Sequence, residues 1–342
     1  MQLSLPDWPR AGGRPPASAR LRQMPEDFQV EEVLGFAPSG EGQHVLLRLR
    51  KRNANTEWVA CQLARLAGVG RRSVGYAGLK DRHAVTTQWF SVDLAGRAVP
   101  DWGRLAEMDI EVLSWARHDR KLRHGAVRAN RFRIVLRGLN GDRAALVTAL
   151  ERIAREGSPN YFGPQRFGRD NLRQAAAMLL EGRPVRDRFR RGIYLSTARA
   201  WLFNRVLARR VTEGCWNEAL PGDVMMLEGS HSIFPCPRPD ADLRDRLATG
   251  DIHPTGPLWG SGDSPVSAAA AALETAALEE DRALCHALAT AGLRQQRRAL
   301  RIFPRELQWQ MDGDTLTLGF ILPAGGYATS VLREAVEFRT ED

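Results

Sequence analysis

Apolar and polar residues alternate strand-fashion toward both ends of this chain and recur with helical spacing between. From Pro25 to Val33 the alternation puts Phe28 and Val30 on one strand face. After a turn at Gly40–Gly42, a second strand points Val45, Leu47 and Leu49 one way and His44, Arg48 and Arg50 the other. Ser73–Ala77, Thr86–Val92 and Ile110–Trp115 have the β-branched and aromatic composition of further strands, and Phe132, Ile134 and Leu136 mark one with a buried face. Near the C-terminus Trp309 and Met311, Asp312-Gly313, then Leu316, Leu318, Phe320 and Leu322 spell a hairpin that runs into a Gly-rich loop and a short helix.

Helical spacing begins at Asn55, suited to an N-cap, and continues through Val59, Leu63 and Leu66 until Gly68 and Gly70 end it. Leu146, Leu150 and Ile153 form a second stripe. A third, after Leu195, turns Ala198, Leu202 and Val206 inward and leaves Arg199, Arg205, Arg209 and Arg210 available outside. Pro221-Gly222-Asp223 is a tight turn opening short strands that run through Phe234. His253–Pro265 reads as a long loop, with Ser264-Pro265 starting an Ala-rich helix whose acids, Glu274, Glu279, Glu280 and Asp281, face solvent.

At 342 residues and 43% hydrophobic content the chain can bury one large core or two medium ones, and two domains are expected. Composition turns abruptly to aromatic, Gly, Pro and Asn at Ser158–Asn171, which marks the entrance to the second; core packing is the commoner fate of Tyr161, Phe162 and Phe167 there. A formal charge of +9 and a pI near 10.1 favour a polyanionic partner, while 26% charged residues of mixed sign argue against a disordered basic tail. No run of 18 apolar residues occurs, and the Pro- and Gly-rich start, expected to be loosely held, lacks the apolar core of a signal peptide; a cytoplasmic protein with no membrane association follows. Cys61, Cys215, Cys236 and Cys285 stand far apart and the histidines lack ligand spacing, so neither a disulfide framework nor a metal site is expected. Gly68 and Gly70 are followed by Ser73 where a dinucleotide fingerprint needs a third glycine, and no Walker pattern surrounds Lys80.

Candidate chemistry concentrates in Gly75–Val92. Two strand-like segments there flank Gly78, Lys80, Asp81, Arg82 and His83, placing one carboxylate on a connection beside three groups that are or can become cations. Neighbouring positive charge favours a carboxylate's ionised form, which can act as nucleophile or base. The bland alternative is a solvated turn in which Asp81 pairs with Lys80 or Arg82. Of 49 Lys and Arg residues only Lys51, Lys80 and Lys121 are lysine, so the compact ammonium beside Asp81 invites a reason in shape. Downstream, Arg117–Arg133 holds seven Lys or Arg against Asp119 alone and ends in the strand of Phe132, as a phosphate-binding rim would. Asn130 beside it can both donate and accept. Arg183–Arg191 and the five arginines of Arg294–Arg305 are further basic clusters.

Eight segments in chain order closely resemble the TruD family of tRNA pseudouridine synthases: PEDF at Pro25–Phe28, GEGQH at Gly40–His44, GLKDRHAVTTQW at Gly78–Trp89, KLR at Lys121–Arg123, ANRF at Ala129–Phe132, NYFGPQRFG at Asn160–Gly168, LFN at Leu202–Asn204 and LPAGGYATSVLRE at Leu322–Glu334. The resemblance implies an α/β protein of the α+β kind with a mixed, largely antiparallel sheet: a pseudouridine-synthase catalytic domain made from both ends of the chain, residues 1–156 and 304–342, with an inserted TruD-specific α/β domain at 157–303. It implies that Asp81 is the catalytic aspartate, that Lys80, Phe28, Asn130, Phe132 and Tyr327 bind the uridine, and that Ala129 and Tyr327 depart from the family's usual Gly and Phe. The expected reaction converts a uridine of transfer RNA, at position 13, to pseudouridine without a cofactor. Arg123 and Arg128 would hold RNA phosphates, and no obligate protein partner is indicated. A noncatalytic RNA-binding or assembly factor is the competing class; a metal-dependent nuclease is disfavoured because no acidic cluster accompanies Asp81.

Overall fold

The computed structural model describes residues 5–123 and 125–340; Met1–Ser4 of the N-terminal segment and His124 of the basic run lie outside them. In chain order the strands are β1 (Ala17–Leu21), β2 (Phe28–Leu34), β3 (His44–Arg52), β4 (Val74–Tyr76), β5 (Val85–Asp93), β6 (Ile110–His118), β7 (Val127–Gly141), β8 (Ser158–Pro159), β9 (Asp223–Leu227), β10 (Ile233–Cys236), β11 (Ile252–Leu258), β12 (Gln296–Ala299), β13 (Arg301–Ile302), β14 (Arg305–Asp312), β15 (Thr315–Pro323) and β16 (Val336–Thr340). The α-helices are α1 (Thr56–Leu66), α2 (Arg143–Glu156), α3 (Pro164–Phe167), α4 (Asn171–Leu180), α5 (Arg188–Thr212), α6 (Ala241–Thr249), α7 (Ala268–Ala277), α8 (Arg282–Thr290) and α9 (Ala328–Leu332).

Two compact units result, one of residues 17–142, 305–325 and 337–342, the other of 1–16, 143–304 and 326–336. The first is built on a sheet ordered β14-β15-β7-β2-β5-β3-β6, with β1 against β7 and β16, and β4 against β5. β2 and β5 run parallel, while β7 is antiparallel to β1, β2 and β15 and β3 is antiparallel to β5 and β6. The alternation of Val45, Leu47 and Leu49 sends all three, with Phe90 and Val92, into a core closed by Val59 and Leu63 of α1. Asn55 caps that helix by accepting from Glu57 N at 2.8 Å. Pro25–Asp27, read from the alternation as strand, forms a 3₁₀ turn, and the strand begins at Phe28, because Asp27 is buried against Arg137 at 2.8 Å. The hairpin of β14 and β15 turns at Gly313, with φ +53, and Asp314, one residue beyond the Asp-Gly pair that signalled it.

The second unit packs α5, α4 and α8 around a core containing Tyr161, Phe162, Phe167, Trp201 and Phe203, beside the antiparallel sheet β10-β9-β11-β12. Several expectations fail here because this unit engages charged side chains with partners of its own, ionic or neutral. Arg210 is fully buried, its Nη1 3.0 Å from Asp223 Oδ2, and not on an outer face. Arg199 spends its guanidinium on the carbonyl of Leu258 at 2.6 Å, and Arg205 pairs with Glu280 at 2.7 Å. Glu274 and Asp281 are buried rather than solvent-facing, Glu274 on Arg297 at 2.6 Å and Asp281 accepting from the Trp201 indole at 2.9 Å. Of the five arginines at 294–305, Arg297 and Arg301 are buried and Arg298 is half-buried, while Arg294 and Arg305 are exposed, so the cluster is not a continuous surface patch. The loop expected over His253–Pro265 contains β11, and α7 starts after Ser267 rather than at Ser264-Pro265. Residues 7–12 are not loosely held: Trp8 stacks on Tyr161 at 6.0 Å, and Ala11 N donates to Glu334 at 2.8 Å. Among the described residues no helix is long and apolar enough to cross a membrane.

Candidate active site

Asp81 lies in the connection between β4 and β5, and that connection is clamped from both sides. Thr56 at the start of α1 accepts from Lys80 N at 3.1 Å and donates to Gln88 Oε1 at 3.0 Å; Gln88 Nε2 in turn donates to Gly78 O at 2.7 Å. Thr56 and Gln88 are both buried, so each needs these partners, and satisfying them fixes the loop backbone. Gly125 N donates to Ala77 O at 3.1 Å where the loop begins, and Asn53 N to Ala84 O at 3.2 Å where it ends. Gly75 allows the basic segment to close in: a Cβ there would stand 2.4 Å from Leu122 O, which only glycine avoids.

The charges sort differently from the sequence's suggestion. Asp81 Oδ2 meets Arg22 Nη2 at 2.5 Å, and the Arg22 guanidinium lies 4.0 Å over the Phe28 ring. Arg22 follows β1 in the left-handed region, φ +64, a conformation costing a non-glycine residue about 1 kcal/mol. Lys80, next to Asp81 in sequence, reaches instead to Glu32 Oε1 at 2.7 Å. Glu32 is buried; its other oxygen accepts from Trp89 N at 2.8 Å, just past the end of the short parallel ladder between β2 and β5. Burial pushes the Glu32 carboxyl above the usual range, against the pull of Lys80 and the Trp89 amide. Lys51, 1% exposed, donates to Ala54 O at 2.6 Å. Arg22, Glu32, Lys51, Thr56 and Gln88 were not singled out as site residues from the sequence; only Lys51 carried a signal, as one of three lysines in an arginine-rich chain.

Burial drives the Lys51 ammonium down from its ordinary 10.5 to about 8, opposed by the carboxylates of Asp81 and Glu32 and helped by Lys80. Between those two values the unfolded chain holds a proton that the folded one has released, so stability rises with pH across the window. Relative to Lys51→Met, the wild type should gain up to about 3 kcal/mol from pH 8 to pH 10.5, read as the difference in urea unfolding free energies. Parallel pH profiles for the two proteins would refute it.

Strand register gathers the remaining candidates of this unit on one face. Glu32 is opposite Asn130, Val30 opposite Phe132 and Phe28 opposite Ile134, while Phe320 and Leu322 of β15 face Phe132 and Asn130 from the other side of β7. Phe28 meets Phe132 edge-on at 6.1 Å, and Phe132 stacks on Phe320 at 5.4 Å. Asn130 is 9% exposed, and its Oδ1 has no donor among the described residues. Arg123 and Arg128 are exposed, with no carboxylate partner among the described residues. Tyr327 belongs to the other unit, where its ring meets Phe162 at 6.0 Å and its hydroxyl accepts from Arg166 Nε at 3.1 Å. Among the described residues no three His, Cys, Asp or Glu side chains gather as a metal-ligand set.

Comparison with known proteins matches this arrangement to one family. The family model described as tRNA pseudouridine synthase D (TruD) matches residues 11–186 and 185–335. The chain is 50% identical to a tRNA pseudouridine synthase D of Methylococcus capsulatus over 97% of its own length and 95% of the relative's. It is 51% identical to the protein of that name in Nitrosococcus oceani, over 97% and 94%. In fold it resembles a crystal structure from Methanosarcina mazei, provisionally named as a tRNA pseudouridine synthase D, with a TM-score of 0.66 at 21% identity over 98% of this chain and 95% of that one. Matched along nearly its whole length, the chain belongs to the TruD family of tRNA pseudouridine synthases.

Proposed function

We propose that the protein isomerises a uridine of transfer RNA to pseudouridine, at position 13 by its family resemblance, with Asp81 as the catalytic group and no cofactor. The observation that carries this reading is the setting of Asp81: a carboxylate held at 2.5 Å by Arg22 on a loop clamped through Thr56 and Gln88. The reaction breaks the C1′–N1 bond, turns the uracil and joins C1′ to C5, while the C5 proton leaves and N1 gains one, so the net change is an isomerisation. A carboxylate so fixed can add covalently to sugar or base, or take a ribose proton to give a glycal. Uridine must leave its stack to reach it. Phe28 and Phe132 offer rings for the extruded base, and Asn130 Oδ1 suits the N3–H of uracil, with the amide Nδ2 suited to O4. Lys80 contributes through Glu32 as a brace for the loop. In the same proposal residues 1–156 and 304–342 form the catalytic body and 157–303 the insert; the compact units change over at 142/143 and 304/305, differing from that division chiefly by α2, residues 1–16 and 326–336.

Incubating the purified protein with unmodified tRNA, chelator present, and mapping pseudouridine tests the reading; tRNA left unmodified under these conditions would refute it. Arg123 and Arg128 are assigned to phosphate. Replacing both by Ala should weaken binding of any RNA and flatten the log-affinity against log-salt slope by about one unit per lost contact, and an unchanged slope would remove the assignment.

A further inference from the structure

The arginines of the α5 unit divide into two populations. Arg210, Arg297 and Arg301 are buried, engaged by carboxylates or backbone carbonyls. Arg183, Arg186, Arg188, Arg190 and Arg191 are all exposed, and the acid among them, Asp187, is spent as the N-cap of α5, accepting from Phe189 N at 2.8 Å and Arg190 N at 3.3 Å. Asp187 also lies 3.8 Å from Arg190 Nε; the other four have no carboxylate partner among the described residues. No acid occupies the first turn of α5, so Arg188, Arg190 and Arg191 sit where the helix dipole disfavours cations. Arg183, Arg186, Arg188 and Arg191 thus stand exposed without a carboxylate partner among the described residues, at an internal electrostatic cost.

In their midst Phe189 is 71% exposed, more than any other large hydrophobic side chain among the described residues. Among the described residues its ring belongs to no core cluster, and α5 buries Leu195, Ala198, Leu202 and Val206 further along. One aromatic ring amid planar guanidinium groups matches an unpaired nucleotide: the ring stacks on the base, whatever its identity, and the arginines take the flanking phosphates. The same patch suits a lipid surface poorly. Interfacial helices present a continuous apolar face with several large residues, and here that face is already consumed by the core.

We propose that Arg183–Arg191 is an RNA-docking surface in which Phe189 stacks on an unpaired base of the bound tRNA and the surrounding arginines hold its backbone. It rests on the tRNA reading above and adds to it a contact borne by the α5 unit. The surface recognises an accessible base rather than a sequence, because every base offers a π face.

The test measures equilibrium binding of unmodified tRNA to the full chain at several salt concentrations, with Phe189→Ala, Phe189→Tyr and the triple variant Arg186→Ala/Arg188→Ala/Arg191→Ala, each checked by melting. Phe189→Ala should weaken binding about five- to a hundredfold with the salt slope unchanged, and Phe189→Tyr should restore it to within about threefold. The arginine variant should flatten the slope by about 0.7 per lost contact with single-stranded backbone. Phe189→Ala within about twofold of wild type, or a Tyr that fails to rescue, overturns the inference. So does a Phe189-dependent affinity for phosphatidylglycerol vesicles without one for tRNA. Pseudouridine formation by the wild type is scored separately: if it occurs while Phe189→Ala binds normally, this inference falls alone, and if it does not occur, the proposed function falls first.

Discussion

Asp81→Asn should lower single-turnover pseudouridine formation by more than about a thousandfold, about 4 kcal/mol of transition-state stabilisation, while the protein stays folded and binds tRNA. Asparagine keeps the size of the side chain and one carbonyl oxygen for Arg22, but its amide neither attacks carbon nor accepts a proton at neutral pH. The loop is also held by clamps that do not involve the carboxylate, Thr56, Gln88, Gly125 and Asn53. The Arg22–Asp81 pair is partly open to solvent, at 24% and 18% side-chain exposure, so losing its charge costs far less than losing a buried pair would. Affinity should hold or rise slightly, because a negative charge near RNA phosphates is removed. Turnover within about tenfold of wild type in a folded, tRNA-binding variant would mean that Asp81 is not the catalytic group.

Glu32→Leu should be the most destabilising single change at this site, by about 3–5 kcal/mol, because it strands the Lys80 ammonium, only 14% exposed, and removes the acceptor of Trp89 N. The wild-type carboxylate has no exposed surface, so no water replaces it when it goes. Replacing both partners, Glu32→Leu with Lys80→Met, should recover most of the loss, since an apolar pair of similar volume carries no unpaired charge. Urea unfolding of the wild type, the single variant and the double variant gives the comparison. A single variant within about 1 kcal/mol of wild type would show that Glu32 is not bracing the loop. Turnover by the double variant, measured where it is folded, then separates what the Lys80 ammonium does for chemistry from what it does for the fold.

The strands of the large sheet were legible because they bury one face: Val45, Leu47 and Leu49, or Leu316, Leu318 and Phe320, alternate in sequence as they do in space. Charge partners were not, because they depend on register. Glu32 faces Asn130 only once β2 is set against β7, and Arg22 meets Asp81 only once the loop after β4 is in place. Adjacency in sequence pointed Lys80 at Asp81, whereas the buried carboxylate of Glu32 was the stronger claim on a half-buried ammonium. In the α5 unit the same limit recurs: a helical stripe shows which residues are apolar but not that Arg210 will find Asp223 in the interior. β11 was hidden by Pro254 and Pro257; β9 pairs with residues 252–254 and β12 with 255–258, so each half of the strand is paired mainly along one side, where proline is tolerated.

The path of the chain through its large sheet also bears on how the protein is made. β7, which carries Asn130 and Phe132, lies between β2 and β15, and β15 comes from the opposite end of the chain. A ribosome that has delivered every residue of the Asp81 loop has still not delivered the strand that closes β7 along its far edge from Ala129 to Leu136. Until then that edge is an open row of backbone donors and acceptors, the kind that pairs with the wrong chain. Folding of the candidate catalytic sheet is therefore expected to wait until the chain through Pro323 has been made and then to run at the slow pace that long-range pairing imposes, and fragments ending before β15 should aggregate rather than act as smaller enzymes.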